Sequence, residues 1–574
     1  MILVTQAKID EYTAKGWWGT TTVDDRFRAR VAEFGDSEAL VDPPNRAELT
    51  GTPQRRLGWN AVADEVARTA MVLHGLGLRK DDVVLVQLPN TVEQFIVYVA
   101  CARLGLIVTP VPAQYREHEL EHVVRSTEAK AALTTQRIGQ HEHAAMMLGL
   151  RAACPTLAHV LAYGESVPEG ALALVPAVAA AADGGAAEAE ARRAAVTAND
   201  VFTICWTSGT ESFPKGVPRS TNEWLILSQT VVDGPPLQEG QRVLCPFPMV
   251  NMAGVASGFF AWLLGGVTMV QHHPFDLKVF LAQIRTESIN YTTVPPAILN
   301  LLLQQPALLE GVRFDIMRHL GSGSAPLSEW MISEFNKRYG VQVVNLFGSN
   351  EGICLPGTHR DIPDPAMRAA YFPRVGVKGY QWDTTVADKL ETRLVDLATE
   401  EVITEAGRPG EMRIKGPTVL SGYWRAPELT AKAFDAEGFF KTGDTFEIAG
   451  DKLQYYKFVG RSKDLVIRGG MNISPEEIET LLQGHPKVRE VAVIGWPDAV
   501  LGERVCVCVA PRPGVTVTLD ELIAYLRDDK KIAAFKLPER MMLVEELPRN
   551  PVGKIVKRTL RERAKALADE GGVG

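Results

Sequence analysis

No stretch of this chain reaches the ~18 uncharged apolar residues that a membrane-crossing helix needs. The nearest approach, GVASGFFAWLLGGVTMV (residues 254–270), is short and glycine-rich. It reads as a buried helix running into a strand. The first residues, MILVTQAKIDEY, turn charged too early for a secretory leader. Cysteine is sparse: seven residues, an odd number, are thinly scattered through 574. That argues against a disulfide framework and predicts a reduced, cytoplasmic protein. Cys506 and Cys508, two apart in RVCVCVA, would share one face of a strand, with no second Cys or His pair at metal spacing beside them. They read as packed core thiols. Positive charge is not in excess either. The 61 Lys and Arg against 69 Asp and Glu leave a net charge of −8, which argues against nucleic acid as a partner. No Ser–His–Asp constellation stands out.

What the chain does have is an ordinary globular composition, 46% hydrophobic and 23% charged, over a length too great for one core. Residues 82–111, DVVLVQLPNTVEQFIVYVACARLGLIVTPV, run from a continuous apolar segment through a 3.6-period pattern to a glycine and a second apolar segment. This is strand, helix, strand. Uninterrupted apolar strands predict a sheet covered on both faces, and YTTVPPAILNLLLQ and VQVVNLFGSNEG repeat the theme. The fold class is α/β. The segment 176–196 is mostly Ala, Glu, Gly and Arg and reads as a surface helix or linker. Past residue 400 short alternating segments (GEMRIKG, YYKFVG, LVIRGG) predict antiparallel strands with glycine turns. In NISPEEIETLLQGHP, Ser474 is the expected N-cap, Pro475 takes N1, and Glu477 at N3 would complete a capping box. A boundary falls near Gly460–Lys463, giving a region 1–460 and a smaller α+β region 461–574.

The stretch WTSGTESFPKGVPRST (206–221) sits between a strand-like run and a helix. Thr207, Ser208, Gly209, Thr210 and Ser212 offer hydroxyls and accessible backbone N–H groups, and Lys215 brings charge. Such a loop suits a phosphate. It is not a Walker loop: five residues separate Gly209 from Lys215, and Gly216 rather than Ser or Thr follows the lysine. It resembles the phosphate loop of the adenylate-forming superfamily, [ST]SGTTGxPKGV, found in acyl-CoA synthetases, peptide-synthetase adenylation domains and firefly luciferase. TSGT and PKGV match, while Glu211 and Ser212 replace Thr and Gly.

Further stretches resemble that superfamily in its own order. NLFGSNEG (345–352) is similar to N-x-Y-G-x-T-E. The resemblance implies that Asn345 bonds adenine, Phe347 stacks on it beside Gly348, Asn350 replaces the threonine on the α-phosphate, and Glu351 holds magnesium. GSGSAPLS (321–328) resembles the glycine-rich strand end against adenine and acyl group, with Gly323 and Ser324 on the nucleotide side. FFKTGD places Asp444 on the ribose hydroxyls, and GRSKDLVIRGG places Arg461 at ribose or phosphate and Lys463 at the hinge. LPRNPVGKIVKRTL resembles the terminal motif whose lysine is catalytic, here Lys554. The match runs from residue 82 to Leu560 and implies a mobile C-terminal domain, with a barrel-like β subdomain preceding it.

By that resemblance the chain is an AMP-forming acyl-CoA synthetase, a monomer or homodimer, taking ATP, Mg2+, a small carboxylic acid and coenzyme A. Lys554, Lys215 and the magnesium held by Glu351 would neutralise the two anions that must meet, and Gly469 and Gly470 would leave room for the pantetheine arm. Candidate pocket stretches PFPMVNMAGVASG and TTVPPAILNLL hold no acidic residue to pair with an amino group. Asn251, Met252, Gly254, Val255 and Gly321 predict a neutral, apolar, roomy acyl site. TPVPAQYREHELEHVVRST is similar to a segment of cyclohexanecarboxylate-type ligases. Bulky apolar acids follow: alicyclic, polycyclic or terpenoid, or medium-chain. Three alternatives stay open: loading of a carrier protein, a luciferase-like oxygenase, and a non-catalytic nucleotide-binding regulator.

Overall fold

The computed structural model describes residues 1–574 except 182–184, 208–213, 324–326, 462–463, 469–470, 499–500, 531, 533, 551–552 and 570–574. Its strands form four sheets. The first runs Leu172–Ala173, His159–Tyr163, Ala131–Thr135, Val83–Gln87, Ile107–Pro110, Val201–Trp206, Gly216–Ser220. Every neighbouring pair is parallel except the last. The second has eight strands with antiparallel edges, and its parallel centre includes Arg242–Cys245, Tyr291–Thr293, His319–Gly323 and Gln342–Gly348.

Burial on both faces explains the unbroken apolar strands. The helix Val92–Leu104 is buried at every position. It is mostly apolar, as a helix enclosed by protein must be, and its charged residues Glu93 and Arg103 are paired with Arg46 and Asp24. The stretch 254–270 behaves as its composition predicts. A π-helical turn, Val255–Phe260, passes into a short helix and then the strand Thr268–Gln271, all in the core beside the stacked rings of Trp59 and Trp262 at 4.5 Å.

The segments after residue 400 form a six-stranded antiparallel sheet that includes Gly410–Lys415, Phe440–Ala449 and Tyr455–Arg461. The last sheet begins with Val466–Arg468 and pairs Val488–Asp498 antiparallel with Gly502–Pro511; Arg540–Leu543 adds a parallel edge. Cys506 and Cys508 are both buried, on the face that packs against Leu560 and Ala564. The helix Pro475–Gln483 starts as expected, with Ser474 Oγ accepting from Glu477 N at 3.2 Å. The capping box, however, is only half made. The Glu477 carboxylate turns outward to Lys536 Nζ at 2.7 and 2.9 Å, because a full positive charge outbids a neutral backbone N–H.

Candidate active site

Strands of parallel sheets place ligands beyond their carboxyl ends. Pro110, Trp206, Pro246, Pro295 and Gly348 all sit at or just past such ends, and all line one cavity of about 1330 Å³. A site for one drug-sized molecule is ~300–1,000 Å³, so this volume accommodates more than one. Residues Glu490, Arg549, Asn550, Gly553, Lys554 and Arg558, all from the last part of the chain, close its other side.

The phosphate-loop residues Ser208, Gly209, Thr210 and Ser212 lie outside the described residues, but the neck of the loop does not. Thr207 N donates to Lys215 O at 3.0 Å and Lys215 N donates to Thr207 Oγ1 at 3.1 Å. Two reciprocal bonds thus close the loop at its base. The Lys215 ammonium lies 5.0 Å from the centre of the Tyr423 ring.

Asn350 is a bridge. Its Oδ1 accepts from Met252 N at 2.7 Å, its Nδ2 donates to Trp206 O at 3.1 Å, and its own carbonyl accepts from the buried Arg219 guanidinium. It therefore ties the end of the strand Val201–Trp206 to the acyl-side loop, a structural duty beyond the phosphate contact implied by resemblance. Asn345 is similarly engaged: Nδ2 donates to Arg368 O at 3.0 Å and Ala369 O at 2.9 Å. Only Oδ1 remains to serve a nucleobase, as an acceptor. Phe347 packs among Phe372, Phe446 and Phe458. Gly348 and Gly323 allow close backbone approach; a Cβ would stand 2.2 Å from Met252 Cε at the first and 2.1 Å from Leu346 O at the second.

Glu351 Oε1 accepts from the Tyr423 hydroxyl at 3.1 Å. A carboxylate has about four lone-pair positions, so one such bond leaves capacity for a metal. Mg2+ takes one or two protein carboxylates and completes its shell with phosphate and water. The donor set fits that ion. Asp444 is buried and sits across the strand pair from Arg461, Nε to Oδ1 at 3.4 Å. Lys554 is held on its loop by reciprocal bonds with Asn550, N to Oδ1 and O to N, each 2.9 Å. The residue as a whole is exposed, so crowding acts on its ammonium end. That desolvation lowers its pKa, Arg461 adds to the fall, and Asp444 and Glu351 oppose it. Ser324, Lys463, Gly469 and Gly470 lie outside the described residues.

On the acyl side Asn251 and Met252 line the cavity, and Asn251 Oδ1 caps the next turn at Gly254 N. Gly254, Val255 and Gly321 do not line it. Val255 is fully buried in the core, a Cβ on Gly254 would stand 1.9 Å from Pro248 O, and one on Gly321 would stand 2.2 Å from the Tyr291 hydroxyl. In this structure these three lie behind the cavity wall rather than on its surface. The wall itself includes Phe247, Pro248, Pro295, Ile298, Tyr115 and His118. The two carboxylates on it are engaged, Glu119 with Arg116 N and Glu490 with Arg549. Arg219 and Tyr423 carry no motif that sequence reading could have recognised, since both act on residues far along the chain.

A family model described as AMP-binding enzyme matches residues 27–424, and one described as AMP-binding enzyme C-terminal domain matches 477–554. The chain belongs to the AMP-binding enzymes. This AMP-binding enzyme is 28% identical to the medium-chain fatty-acid–CoA ligase of Escherichia coli (strain K12), covering 96% of this chain and 92% of that one. It is 29% identical to the 2-hydroxy-7-methoxy-5-methyl-1-naphthoate–CoA ligase of Streptomyces carzinostaticus, covering 97% and 96%. The crystal structure of ATP-bound MatB from Rhodopseudomonas palustris superposes with a TM-score of 0.77 at 27% identity, over 95% of this chain and 100% of that one. Stacked α/β sheets, a small antiparallel β unit and a smaller C-terminal α+β unit are thus the architecture of this AMP-binding enzyme. No described helix is long and apolar enough to cross a membrane.

Proposed function

We propose that this AMP-binding enzyme is a cytoplasmic acid–thiol ligase. It activates a bulky apolar carboxylic acid (alicyclic, polycyclic or medium-chain) as acyl-AMP, and passes the acyl group to the thiol of coenzyme A. The observation that carries this reading is one cavity in which Lys554, Asn350, and Trp206 and Pro214 beside the neck of the phosphate loop meet an apolar wall of Phe247, Pro248, Pro295 and Ile298. The names of two relatives, a medium-chain and a naphthoate ligase, support an apolar acid.

A carboxylate is inert to thiols because its charge repels them and its leaving group would be oxide. Attack of the acid's oxygen on the ATP α-phosphorus, with pyrophosphate leaving, converts it to a mixed anhydride. Two anions must meet, so neutralising positive charge is the chief task. Lys215 and Lys554 supply it from two lobes. Mg2+, when bound at Glu351, adds Lewis-acid polarisation of the phosphates. Asp444 would hold the ribose hydroxyls with Arg461 beside it, Asn345 would accept from the adenine amino group, and Phe347 would offer an aromatic face. We read residues 1–460 as the nucleotide and acyl lobe and 461–574 as a lobe that turns about Lys463. That turn would withdraw Lys554 and bring Gly469–Gly470 towards the entering thiol.

The test is pyrophosphate release with ATP, Mg2+ and a panel of acids. Release dependent on a bulky apolar acid, followed by thioester formation on adding coenzyme A, is the expected result. ATP binding without turnover on any acid would instead make the chain a regulator. Acyl transfer only to a carrier protein would replace the acceptor.

A further inference from the structure

The segment Leu420–Trp424 touches the reaction centre at several points that no motif foretold. Leu420 N donates to Glu351 O at 2.9 Å, and the Tyr423 hydroxyl donates to Glu351 Oε1 at 3.1 Å. The face of the same tyrosine ring lies under the Lys215 ammonium at 5.0 Å. Trp424 N donates to Gly216 O at 2.9 Å, one residue past that lysine, and Trp424 Nε1 donates to Ser126 O at 3.1 Å. Tyr423 is itself fastened, its N donating to Thr430 Oγ1 at 3.0 Å.

We propose that Tyr423 is a positioning residue for adenylation: its hydroxyl orients the Glu351 carboxylate towards Mg2+, while its ring seats the Lys215 ammonium. One rigid side chain with two rotatable torsions thus sets the spacing between two positive charges that must reach the same triphosphate. The inference rests on Glu351 as the magnesium carboxylate, as proposed above. Two physical points support it. A hydrogen bond to an ionised acceptor is stronger than one between neutral groups, and so favours one carboxylate rotamer. An ammonium within about 6 Å of an aromatic centroid is attracted by the ring face, so Lys215 is held near the loop neck before ATP arrives. The coupling also runs through the backbone: Leu420 N holds the turn that carries Glu351, and Trp424 N holds Gly216, the residue after Lys215, so one short segment ties both groups.

The experiment is ATP binding by titration calorimetry on the full chain, without acid so that no turnover occurs, in excess Mg2+ and again in EDTA. Tyr423→Phe keeps the ring and removes the hydroxyl. It is expected to bind metal-free ATP within twofold of wild type while losing at least fivefold of the affinity that Mg2+ adds. Tyr423→Leu removes the ring as well and is expected to weaken metal-free ATP at least fivefold in addition. Melting temperatures of both variants confirm folding. The proposal is overturned if Tyr423→Phe keeps the whole Mg2+ increment, if it loses affinity equally with and without metal, or if wild type gains nothing from Mg2+. Failure of acid-dependent pyrophosphate release in wild type would sink the ligase reading, and the calorimetric comparison would still report on Tyr423.

Discussion

Replacing Lys554 with alanine separates the two half-reactions. The loop that carries it is held by backbone and Asn550 contacts, with Lys554 N to Asn550 Oδ1 at 2.9 Å and Gly553 N to Asn550 O at 2.8 Å, none of which needs the lysine side chain. The substitution should therefore leave the loop in place and remove only the ammonium. One or two charge-assisted bonds to the triphosphate, each ~1.5–3 kcal/mol, amount to about 3–6 kcal/mol if both act in the transition state. At 1.36 kcal/mol per tenfold, adenylation should fall about 10²–10⁴-fold. Pyrophosphate release measures that step. Thioester formation from premade acyl-AMP and coenzyme A, followed by loss of free thiol, should stay within about threefold of wild type. The free enzyme adds a pH signature. Desolvation and Arg461 hold the Lys554 pKa below the usual 10.5, so the charged form is present below that lowered pKa and lost as pH rises through it. The alkaline limb of kcat/KM for ATP should lie below 10.5 and flatten in the alanine variant. If both half-reactions fell equally in a variant with unchanged melting, the two-lobe account of charge neutralisation would be wrong.

Asn350→Ala removes the bridge from Trp206 O to Met252 N; kcat/KM for the acid, from acid-dependent pyrophosphate release, should fall about ten- to a hundred-fold, the cost of a misplacement near 1 Å. Gly348→Ala places a Cβ 2.2 Å from Met252 Cε and 2.7 Å from Ile353 O; overpacking of this kind costs about 1–3 kcal/mol, read by denaturant unfolding, with acid turnover lost in parallel. Arg46→Met leaves the buried Asp42 without its cationic partner and Glu93 with Arg55 alone; the destabilisation should be about 3–5 kcal/mol, visible as an earlier first unfolding transition. Arg46→Lys should recover only part of it, since a point charge cannot fork to two acceptors.

The two lysine-bearing loops are legible because short-range contacts shape them: Thr207 to Lys215 and Asn550 to Lys554 are contacts within eight and four residues of sequence. The acyl wall is less so. Asn251, Met252 and Ala253 line the cavity. Yet the turn that follows rotates Gly254 and Val255 into the core, and sequence period alone does not say where a helical stripe stops facing a ligand. The half-made box at Ser474 teaches the same lesson. Glu477 has the right spacing, but Lys536, 59 residues away, takes its carboxylate.

From the order of residues alone came the α/β class, the strand–helix–strand unit within 82–111, the covered strands and the charged residues proposed for the triphosphate. Periodicity and short motifs are local, and local backbone geometry is set within a turn or a strand. Tertiary structure alone decided which side chains hold those groups in place. Tyr423 reaches Glu351 across 72 residues, Arg219 reaches Asn350 across 131, and Trp206 and Met252 are drawn together by one amide. Such contacts follow from how two sheets and a β unit pack their carboxyl ends onto a shared cavity, and packing of that kind leaves no periodic trace in the chain.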